Sequence, residues 1–484
     1  MPFSPKLARY VRRLLLGFAI LATLIVLFYA IENWRGDRAW QACLTHHIAL
    51  NDPVDALPSP SSLPTASNFI KTPLLDGLLF AQQSPAVKTF LENTAQPSAP
   101  SFQWRTGSRF DLEKFSVKQE EERKRLKLPD FPASPSSAAS VLAAQAPIES
   151  ALAELRQAAA ERPQSQVVRP VPISRDEPFN APIPDFRIVR RLGYSLSVQA
   201  CALLASRQAD PAFADTLAAL RLARGFTEMP DALLVESMIG TVMTNIAIQP
   251  IWEGCQNHLW RVPQLEQLQN ELTQIKPLTA LERSMHQERA GFVLTILSVP
   301  SQKLLAAMPN NLARWQLRAL AWGPRGWLKQ NCVAGVTNLQ AQFDLYTARC
   351  TPGFLTKMAT LKTAEYAVGW AGFSPYTIMM QMTLPAYVKV TTTTTSTDTS
   401  VALAITACAL ERHWLAHGSY PESLAELVPT YIDKVPLDIV NGAPLRYRRN
   451  DNGRFTLYSI GLDGKDDSGD LNKDWAWPQL AEPK

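Results

Sequence analysis

A charge-free stretch near the N-terminus limits, more than any other feature, what this chain can fold into. Residues 14–31 read LLLGFAILATLIVLFYAI, and a helix of that length crosses most of a ~30 Å hydrocarbon core. Basic residues precede the stretch and aromatic residues flank its other end: Lys6, Arg9, Arg12 and Arg13, then Tyr29 and Trp34. Because basic flanks stay in the cytoplasm, we predict a basic cytoplasmic tail at 1–13, a single transmembrane helix at 14–31 and export of the rest.

Two alternatives to this topology remain open in the sequence. A cleaved signal peptide would have an unusually long apolar core, and no A-x-A cleavage site follows residue 31. A second uncharged segment at 366–388 would, if it crossed the membrane, return the C-terminus to the cytoplasm. Its Gly369, Pro375 and Pro385 interrupt a spanning helix, so they favour a buried pair of helices instead.

The region after the anchor alternates proline-rich breaks with short amphipathic stretches. Many of the chain's 37 prolines fall in residues 35–186, which we predict to be a Pro-rich, partly helical linker region wrapped on the next domain. Cys43, His46 and His47 lie close enough to suggest a metal site, but no fourth ligand follows at a recognisable spacing. An ordinary helix beside the membrane is the alternative.

From residue 187 onwards the pattern is helical, with apolar residues at i, i+3 and i+4. We predict a helical domain at 187–389, built of helical hairpins that stack as a bundle or a repeat-like array. A 34-residue repeat register is missing. The threonine-rich segment 390–400 predicts a connector, with Asp398 or Thr399 capping a helix that begins at Val401.

The sequence contains no familiar catalytic motif: no G-x-S-x-G, no Walker loop, no H-E-x-x-H and no G-x-G-x-x-G after a strand. Its six histidines offer few acid–base candidates, and His286, His413 and His417 lie in helical patterns typical of packed or surface residues. A net charge of +5 without a basic block argues against a nucleic-acid partner. None of the six cysteines forms a C-x-x-C pair, so buried free thiols are expected for several.

The densest turn signals lie in the last part of the chain, at 398–484. Residues 401–417 have the pattern of an amphipathic helix, and Gly418 is placed to end it in the left-handed conformation. Two short alternating strands then flank residues 451–453, which read Asp-Asn-Gly and indicate a hairpin. We predict a small α+β module in which the helix lies across an antiparallel sheet, within a fold that is mainly α overall.

Aspartates and glycines crowd the segment that follows these strands. The aspartates are Asp463, Asp466, Asp467, Asp470 and Asp474. Hard oxygen ligands on a flexible loop suit Ca²⁺, which takes six to eight oxygens. The spacing differs from that of an EF-hand loop, and a solvated Asp/Gly turn is the alternative.

The C-terminal segment 398–484 resembles the C-terminal part of the major pseudopilin of type II secretion systems. The matching residues are Gly418, Tyr420, Pro421, Pro436, Asp438, Gly442, Tyr447, Gly453, Tyr458, Ser459, Gly461, Asp463, Gly464, Asp474 and Trp475. The family's final loop binds calcium, so the resemblance implies that Asp463, Asp470 and Asp474 are calcium ligands, with Asp466 and Asp467 as further candidates. The whole chain is also similar to large membrane-anchored bacterial proteins that end in such a module.

The resemblance covers about eighty of the 484 residues and does not extend to the anchor. A prepilin has a cleavage glycine and a glutamate at the fifth mature position, whereas Gly17 is followed by FAILA. The pseudopilin anchor helix also runs directly into its head, whereas here about 370 residues lie between the apolar stretch and the helix at 401–417. A pseudopilin-like head on a different kind of anchor is therefore expected.

Together these features predict an envelope protein of structural or interaction type, anchored in the bacterial inner membrane with most of its chain in the periplasm. Its partners would be the membrane and other envelope proteins, at a secretion or pilus-like assembly. Calcium would stabilise the C-terminal module. The alternative is an exported, hydrolase-like enzyme with an active site between the helical domain and the module, although no catalytic residue is singled out.

Overall fold

The computed structural model describes residues 5–58, 63–81, 85–93, 102–125, 135–298, 320, 322–370 and 374–480. Small parts of the predicted tail, linker region, helical domain and module lie outside these ranges, including residues 371–373 of the alternative second span. The structure is 67% helical and carries a three-stranded antiparallel sheet near the C-terminus. The mainly α fold class is thereby confirmed.

The described residues form α-helices, short 3₁₀ helices and three β-strands. The α-helices are α1 Pro5–Ala49, α2 Pro73–Leu78, α3 Pro85–Asn93, α4 Leu112–Arg125, α5 Ser137–Gln145, α6 Glu149–Glu161, α7 Phe186–Ala205, α8 Ala209–Thr227, α9 Leu234–Gln256, α10 Val262–Gln274, α11 Pro277–Ser298, α12 Arg325–Thr347, α13 Gly353–Trp370 and α14 Ile378–His417. Short 3₁₀ helices lie at Thr65–Ser67, Phe69–Lys71, Trp104–Thr106, Ala146–Ile148 and Leu424–Leu427. The strands are β1 Arg446–Arg449, β2 Phe455–Ser459 and β3 Trp475–Trp477.

Helix α1 is an unbroken helix of 45 residues, which makes it about 68 Å long. Its apolar part leaves its side chains uncovered by the rest of the protein: Leu14 is 73% exposed and Phe18 is 72% exposed. Within the described ranges it is the one helix long and apolar enough to cross a membrane. Such a helix fits a membrane anchor and a signal sequence alike.

The C-terminal part of α1 packs closely against α12. Two glycines permit this approach, since a Cβ on Gly36 or Gly326 would overlap backbone atoms of the opposite helix. The side chain of Asn33 accepts the backbone N–H of Gly326 at 2.9 Å. The buried carboxylate of Glu32 accepts the indole N–H of Trp327 at 3.0 Å. The apolar stretch is therefore joined to the folded domain by a packed helix rather than by a flexible tether.

A partly buried ion pair holds the turn at the end of α1 against α11. The guanidinium of Arg289 on α11 bonds both carboxylate oxygens of Asp52, with one contact at 2.7 Å. These hydrogen bonds lower the pKa of Asp52 to about 2. His47 Nδ1 lies 3.2 Å from the same carboxylate. Because α1 runs straight through Cys43 and His46, the segment is helical, as the alternative to a metal site predicts.

One hydrophobic core joins regions that the sequence analysis separated. It contains Ile70 and Leu155 from the predicted linker region, Trp252 from the helical domain, and Leu457 and Trp477 from the C-terminal sheet. The predicted boundaries at 187 and 398 are not breaks in this core. The C-terminal sheet thus folds against the helical domain instead of standing apart from it.

Helix α14 runs without interruption through the threonine-rich segment, so the prediction of a connector at 390–400 is wrong. Threonine is β-branched and disfavours helices, but its hydroxyl can bond the carbonyl one turn earlier. Thr395 and Thr399 do so, at 2.7 and 3.1 Å. The hydroxyl of Thr391 instead donates to Gln342 on α12 at 3.0 Å. These bonds let a polar segment lie inside the protein as helix.

The predicted cap of α14 is also wrong, because Asp398 and Thr399 lie in the middle of that helix. The carboxylate of Asp398 accepts the backbone N–H of Leu278, at the start of α11, at 3.1 Å. Burial raises the pKa of Asp398. At the other end Gly418 terminates α14 as predicted, with φ of 71° and its N–H bonded to the Trp414 carbonyl at 2.7 Å.

The alternative second span falls on α13 and the beginning of α14. Met380, Leu384 and Tyr387 of α14 are buried in a hydrophobic cluster with Leu339 and Phe354. This part of α14 therefore packs against protein, as the buried-helix alternative predicts. Among the described residues no helix besides α1 has the length and apolarity of a membrane span.

The predicted hairpin is present at the C-terminus. Strands β1 and β2 pair antiparallel, with Arg449 opposite Phe455, and the turn between them contains Gly453 at φ 76°. Strand β3 pairs with β2, placing Leu457 opposite Trp477, and was not predicted. Helix α14 packs against β2 and β3, which confirms the expected helix across an antiparallel sheet.

The contact between α1 and α12 predicts a marked effect of adding one methyl group. We expect Gly326→Ala to destabilise the protein by about 1–3 kcal/mol, because the new Cβ would overlap the backbone oxygen of Glu32. Thermal unfolding of the detergent-solubilised chain, followed by circular dichroism, measures the change. Gly77→Ala is the matched control, since a Cβ there meets nothing within 4 Å. Equal melting temperatures for both variants would contradict the proposed close packing.

Candidate functional site

All five candidate metal ligands lie on one connection of the sheet. This connection, residues 460–474, joins β2 to β3 and is called the aspartate loop below. The pairing of Ser459 with Trp475 closes the loop at its base. Three glycines in the left-handed region turn the chain sharply: Gly461, Gly464 and Gly469, with φ of 65°, 70° and 87°.

Two of the aspartates are already engaged by basic side chains. Asp466 lies 3.3 Å from the Arg446 guanidinium and accepts the hydroxyl of Tyr458 at 2.8 Å. The tyrosine hydrogen bond is the main cause that lowers the pKa of Asp466. Asp467 pairs with the Lys473 ammonium at 2.8 Å. A cation binding at either carboxylate would have to compete with these contacts.

Two further aspartates mainly shape the loop itself. One oxygen of Asp463 accepts the backbone N–H of Lys465 at 3.0 Å. One oxygen of Asp470 accepts the backbone N–H of Asn472 at 2.9 Å, which lowers the pKa of Asp470. Both residues are exposed, and such bonds to a backbone N–H two residues later are typical of Asx turns.

Asp474 differs from the other four because it is buried, with 3% exposure. Its Oδ2 accepts the backbone N–H of Gly469 at 2.8 Å. Its Oδ1 is buried and has no hydrogen-bond partner among the described residues. Burial raises the pKa of Asp474. An unpaired buried carboxylate oxygen is costly, so this atom is the place in the loop where a cation would be most stabilising.

The aspartate loop does not gather three carboxylates at one point. Across the described ranges, no group of three or more His, Cys, Asp or Glu side chains is arranged to hold a metal ion. The loop therefore offers a single desolvated carboxylate oxygen, on Asp474, and not an assembled coordination shell. Calcium binding would require the exposed carboxylates of Asp463 and Asp470 to turn towards it.

A sixth aspartate, Asp438, positions the beginning of the loop. Its carboxylate is 1% exposed and accepts three donors: the Ser459 hydroxyl at 2.8 Å, the Ile460 N–H at 3.1 Å and the Val440 N–H at 3.2 Å. These bonds tie the turn at 438–442, which precedes β1, to the end of β2. Asp438 is one of the residues that match the pseudopilin pattern, but its position in the sequence does not indicate this role.

A second polar cluster lies where the helical domain meets the C-terminal module. The carboxylate of Glu411 on α14 is 1% exposed and lies 2.8 Å from His258 Nδ1. The Tyr420 hydroxyl donates to the other oxygen of Glu411 at 3.1 Å. The imidazole of His258 also stacks on Trp414, with ring centroids 3.7 Å apart. Three residues from two distant parts of the sequence thus form one hydrogen-bonded group, called the junction cluster below: His258, Glu411 and Tyr420.

Two buried thiols lie beside this cluster. Cys255 on α9 and Cys408 on α14 interact through their side chains, which together with burial raises the pKa of the Cys255 thiol. All six cysteines are free in the structure, and four are buried: Cys201, Cys255, Cys332 and Cys408. The expectation of buried free thiols is thereby confirmed for these four.

Sequence reasoning missed His258 because nothing nearby marks it. It follows the end of α9 with φ of 51°, and its partner Glu411 lies 153 residues further along the chain. The histidines that the sequence analysis considered are packed or paired with rings: His286 stacks on Phe343 at 3.9 Å, and His413 on His417 at 4.2 Å.

The chain was compared with protein-family models, curated proteins and solved structures. No protein-family model, curated protein or solved structure matches the chain. The function is therefore inferred from the geometry of α1, the aspartate loop and the junction cluster.

The position of Asp438 predicts that its carboxylate holds the base of the aspartate loop. We expect Asp438→Ala to destabilise the protein by roughly 3 kcal/mol, because it leaves buried donors without an acceptor. Denaturant unfolding monitored by tryptophan fluorescence measures this loss. Asp433→Ala, at an exposed position nearby, should stay within about 0.5 kcal/mol of the parent. A small effect at both positions would show that Asp438 is dispensable for the loop.

Proposed function

We propose that this chain is a single-pass envelope protein of structural or interaction type, anchored in the bacterial inner membrane with its folded part in the periplasm. The proposal rests on the difference between the two parts of α1, one exposed and apolar and the other packed against the domain. Its first part exposes an uncharged apolar stretch, 14–31, whereas its second part, from Glu32 onwards, is packed against α12. A soluble protein would bury such an apolar stretch, and lipid is the solvent that suits it.

The proposed orientation follows from the charges at the two ends of the stretch. Lys6, Arg9, Arg12 and Arg13 precede it, and such residues are retained in the cytoplasm. An uncleaved helix is favoured over a signal peptide because α1 continues to Ala49 without a break. Cleavage after residue 31 would cut α1 in its middle. It would remove the apolar stretch and leave residues 32–49 packed against the domain.

A pair of reporter fusions tests this topology. An alkaline phosphatase domain, which folds only outside the cytoplasm, is fused after Lys484, and the control fusion follows Arg13. We expect enzyme activity from the first fusion and none from the second. The full-length protein should sediment with membranes and retain its N-terminal residues by mass spectrometry. Phosphatase activity confined to the Arg13 fusion, or a soluble mature chain lacking α1, would reject the proposal.

The C-terminal module supports the proposed link to a secretion or pilus-like assembly. Its helix α14, the antiparallel sheet and the loop before the last strand follow the order of the pseudopilin head that the sequence resembles. Polymerisation through the anchor helix is not part of this proposal, because the helical domain lies between α1 and the module in the chain. We infer that the protein contacts other envelope proteins through its folded part.

Calcium is proposed as the ion that stabilises the aspartate loop. The support is the buried Oδ1 of Asp474, which has no hydrogen-bond partner among the described residues, with the exposed carboxylates of Asp463 and Asp470 in the same loop. Asp466 and Asp467 are secondary candidates because each is paired with a basic side chain. A divalent cation at Asp474 would satisfy the oxygen that the protein alone leaves unpaired.

The calcium proposal predicts a binding heat and a rise in stability. At calcium concentrations a hundredfold above the dissociation constant, stability should increase by about 2.7 kcal/mol. Isothermal titration calorimetry and thermal unfolding of the full chain in detergent measure both effects. Asp474→Asn should abolish them, whereas Asp433→Asn, outside the loop, should preserve them. The absence of calcium-dependent heat and of any melting shift in the parent protein would end this proposal.

The junction cluster favours a second candidate function, an exported, hydrolase-like enzyme. The His258 side chain is 37% exposed, and its Nδ1 is bonded to the buried carboxylate of Glu411. This pairing sets the orientation of the imidazole and leaves Nε2 as the nitrogen for proton transfer. The two candidates place different demands on His258. Catalysis needs its titratable ring, so His258→Gln would abolish hydrolysis, whereas a structural protein would retain its membrane location and partners.

A further inference from the structure

Three aromatic side chains remain uncovered by protein around the end of the apolar stretch. Trp322 is 78% exposed, Trp34 is 60% exposed and Tyr29 is 37% exposed. They are called the aromatic collar below. Large aromatic side chains with a polar group usually find a polar partner and an apolar surface together. The collar therefore fits an environment that is apolar on one side and polar on the other.

Tertiary packing brings the collar together, since Tyr29 and Trp322 are 293 residues apart. The Tyr29 hydroxyl donates to the backbone carbonyl of Trp322. Gly326, at the start of α12, is bonded to Asn33 of α1, which holds the segment carrying Trp322 against the helix. Trp34 lies three residues beyond the last apolar residue, about 4.5 Å further along the axis. The collar thus lies within about one turn of the end of the apolar stretch.

Basic and aromatic groups continue around the same level. The Arg38 guanidinium lies 5.5 Å from the ring centroid of Trp34, and that of Arg35 lies 5.7 Å from the ring of Tyr376. Tryptophan and tyrosine concentrate at the headgroup level of membranes, and arginine extends its charge towards the same layer. Aromatic rings and arginine side chains at one level are a combination found at membrane interfaces, and the exposed carboxylate of Asp37 at this level is paired with Lys329.

We propose that the aromatic collar lies in the phospholipid headgroup layer and seats the helical domain directly on the membrane. The inference rests on the proposed membrane anchor, because the collar follows the apolar stretch on the same helix. Phospholipid is the occupant because the collar is continuous with the surface that α1 would present to acyl chains. Trp322 belongs to the domain and not to the anchor, so the domain itself contacts lipid.

This contact would set both the distance and the orientation of the folded part. The close glycine contact between α1 and α12 prevents the domain from swinging about the anchor. Two attachments to the same bilayer, through α1 and through Trp322, restrict rotation further. Partners would then approach the domain from the side or from above, because the face that carries Trp322 lies against lipid.

Tryptophan quenching by brominated phosphatidylcholine tests the proposal with the full chain in lipid vesicles. The emission of Trp322 is obtained as the difference between the parent and Trp322→Phe, and that of Trp34 from Trp34→Phe. We expect brominated lipid to remove most of each difference emission. Trp252→Phe is the control, because Trp252 is fully buried in the core and its difference emission should be unchanged.

The outcomes separate this proposal from the membrane anchor on which it rests. If the protein floats with the vesicles but neither difference emission is quenched, the collar does not touch lipid and the proposal is wrong, while the anchor stands. If the protein fails to float with vesicles, both proposals fall. Quenching of Trp34 alone would also overturn the seating of the domain, because Trp322 would then face protein or solvent.

Discussion

The need to satisfy buried polar groups on α14 is the constraint on which the rest of the structure depends. This helix contacts α9 to α13 and two strands of the sheet, and its threonine-rich middle brings hydroxyls and a carboxylate into the core. Thr391 bonds Gln342 on α12, Thr397 accepts from Asn245 on α9 at 2.7 Å, and Asp398 receives the N–H of Leu278 on α11. Because an unpaired buried polar group is costly, each bond sets the register of one neighbouring helix.

The same helix explains why the C-terminal module is not a detachable head. Its end carries Glu411, which receives His258 from the helical domain and Tyr420 from the module. The sheet packs Trp477 into the core that also holds Trp252. The C-terminal module is therefore built into a larger domain, and that domain is in turn fixed to α1 through Gly36 and Gly326. Helix α1, the helical domain and the module are thus joined to one another by packed contacts.

Local signals predicted the fold where they were strong. The apolar stretch, the cap at Gly418 and the hairpin at 451–453 each depend on neighbouring residues, so the sequence showed them. The threonine-rich composition of 390–400 predicts a connector, but the segment is helix because its hydroxyls find carbonyl partners within the buried helix. In the candidate site, the sequence predicted the five aspartates but could not show that Asp466 and Asp467 are paired with basic side chains, or that Asp474 is buried.

Local patterns in the amino-acid sequence are enough to predict a long apolar helix, a mainly helical chain and a short antiparallel sheet with an aspartate-rich loop. The residues that meet are known only from the fold: Glu32 with Trp327, His258 with Glu411, and Trp322 with the end of the apolar stretch. The two kinds of feature differ in the range of the interactions that produce them. Helix periodicity, caps and turns arise within a few residues, whereas burial, orphaned carboxylate oxygens and the aromatic collar depend on contacts between residues hundreds of positions apart.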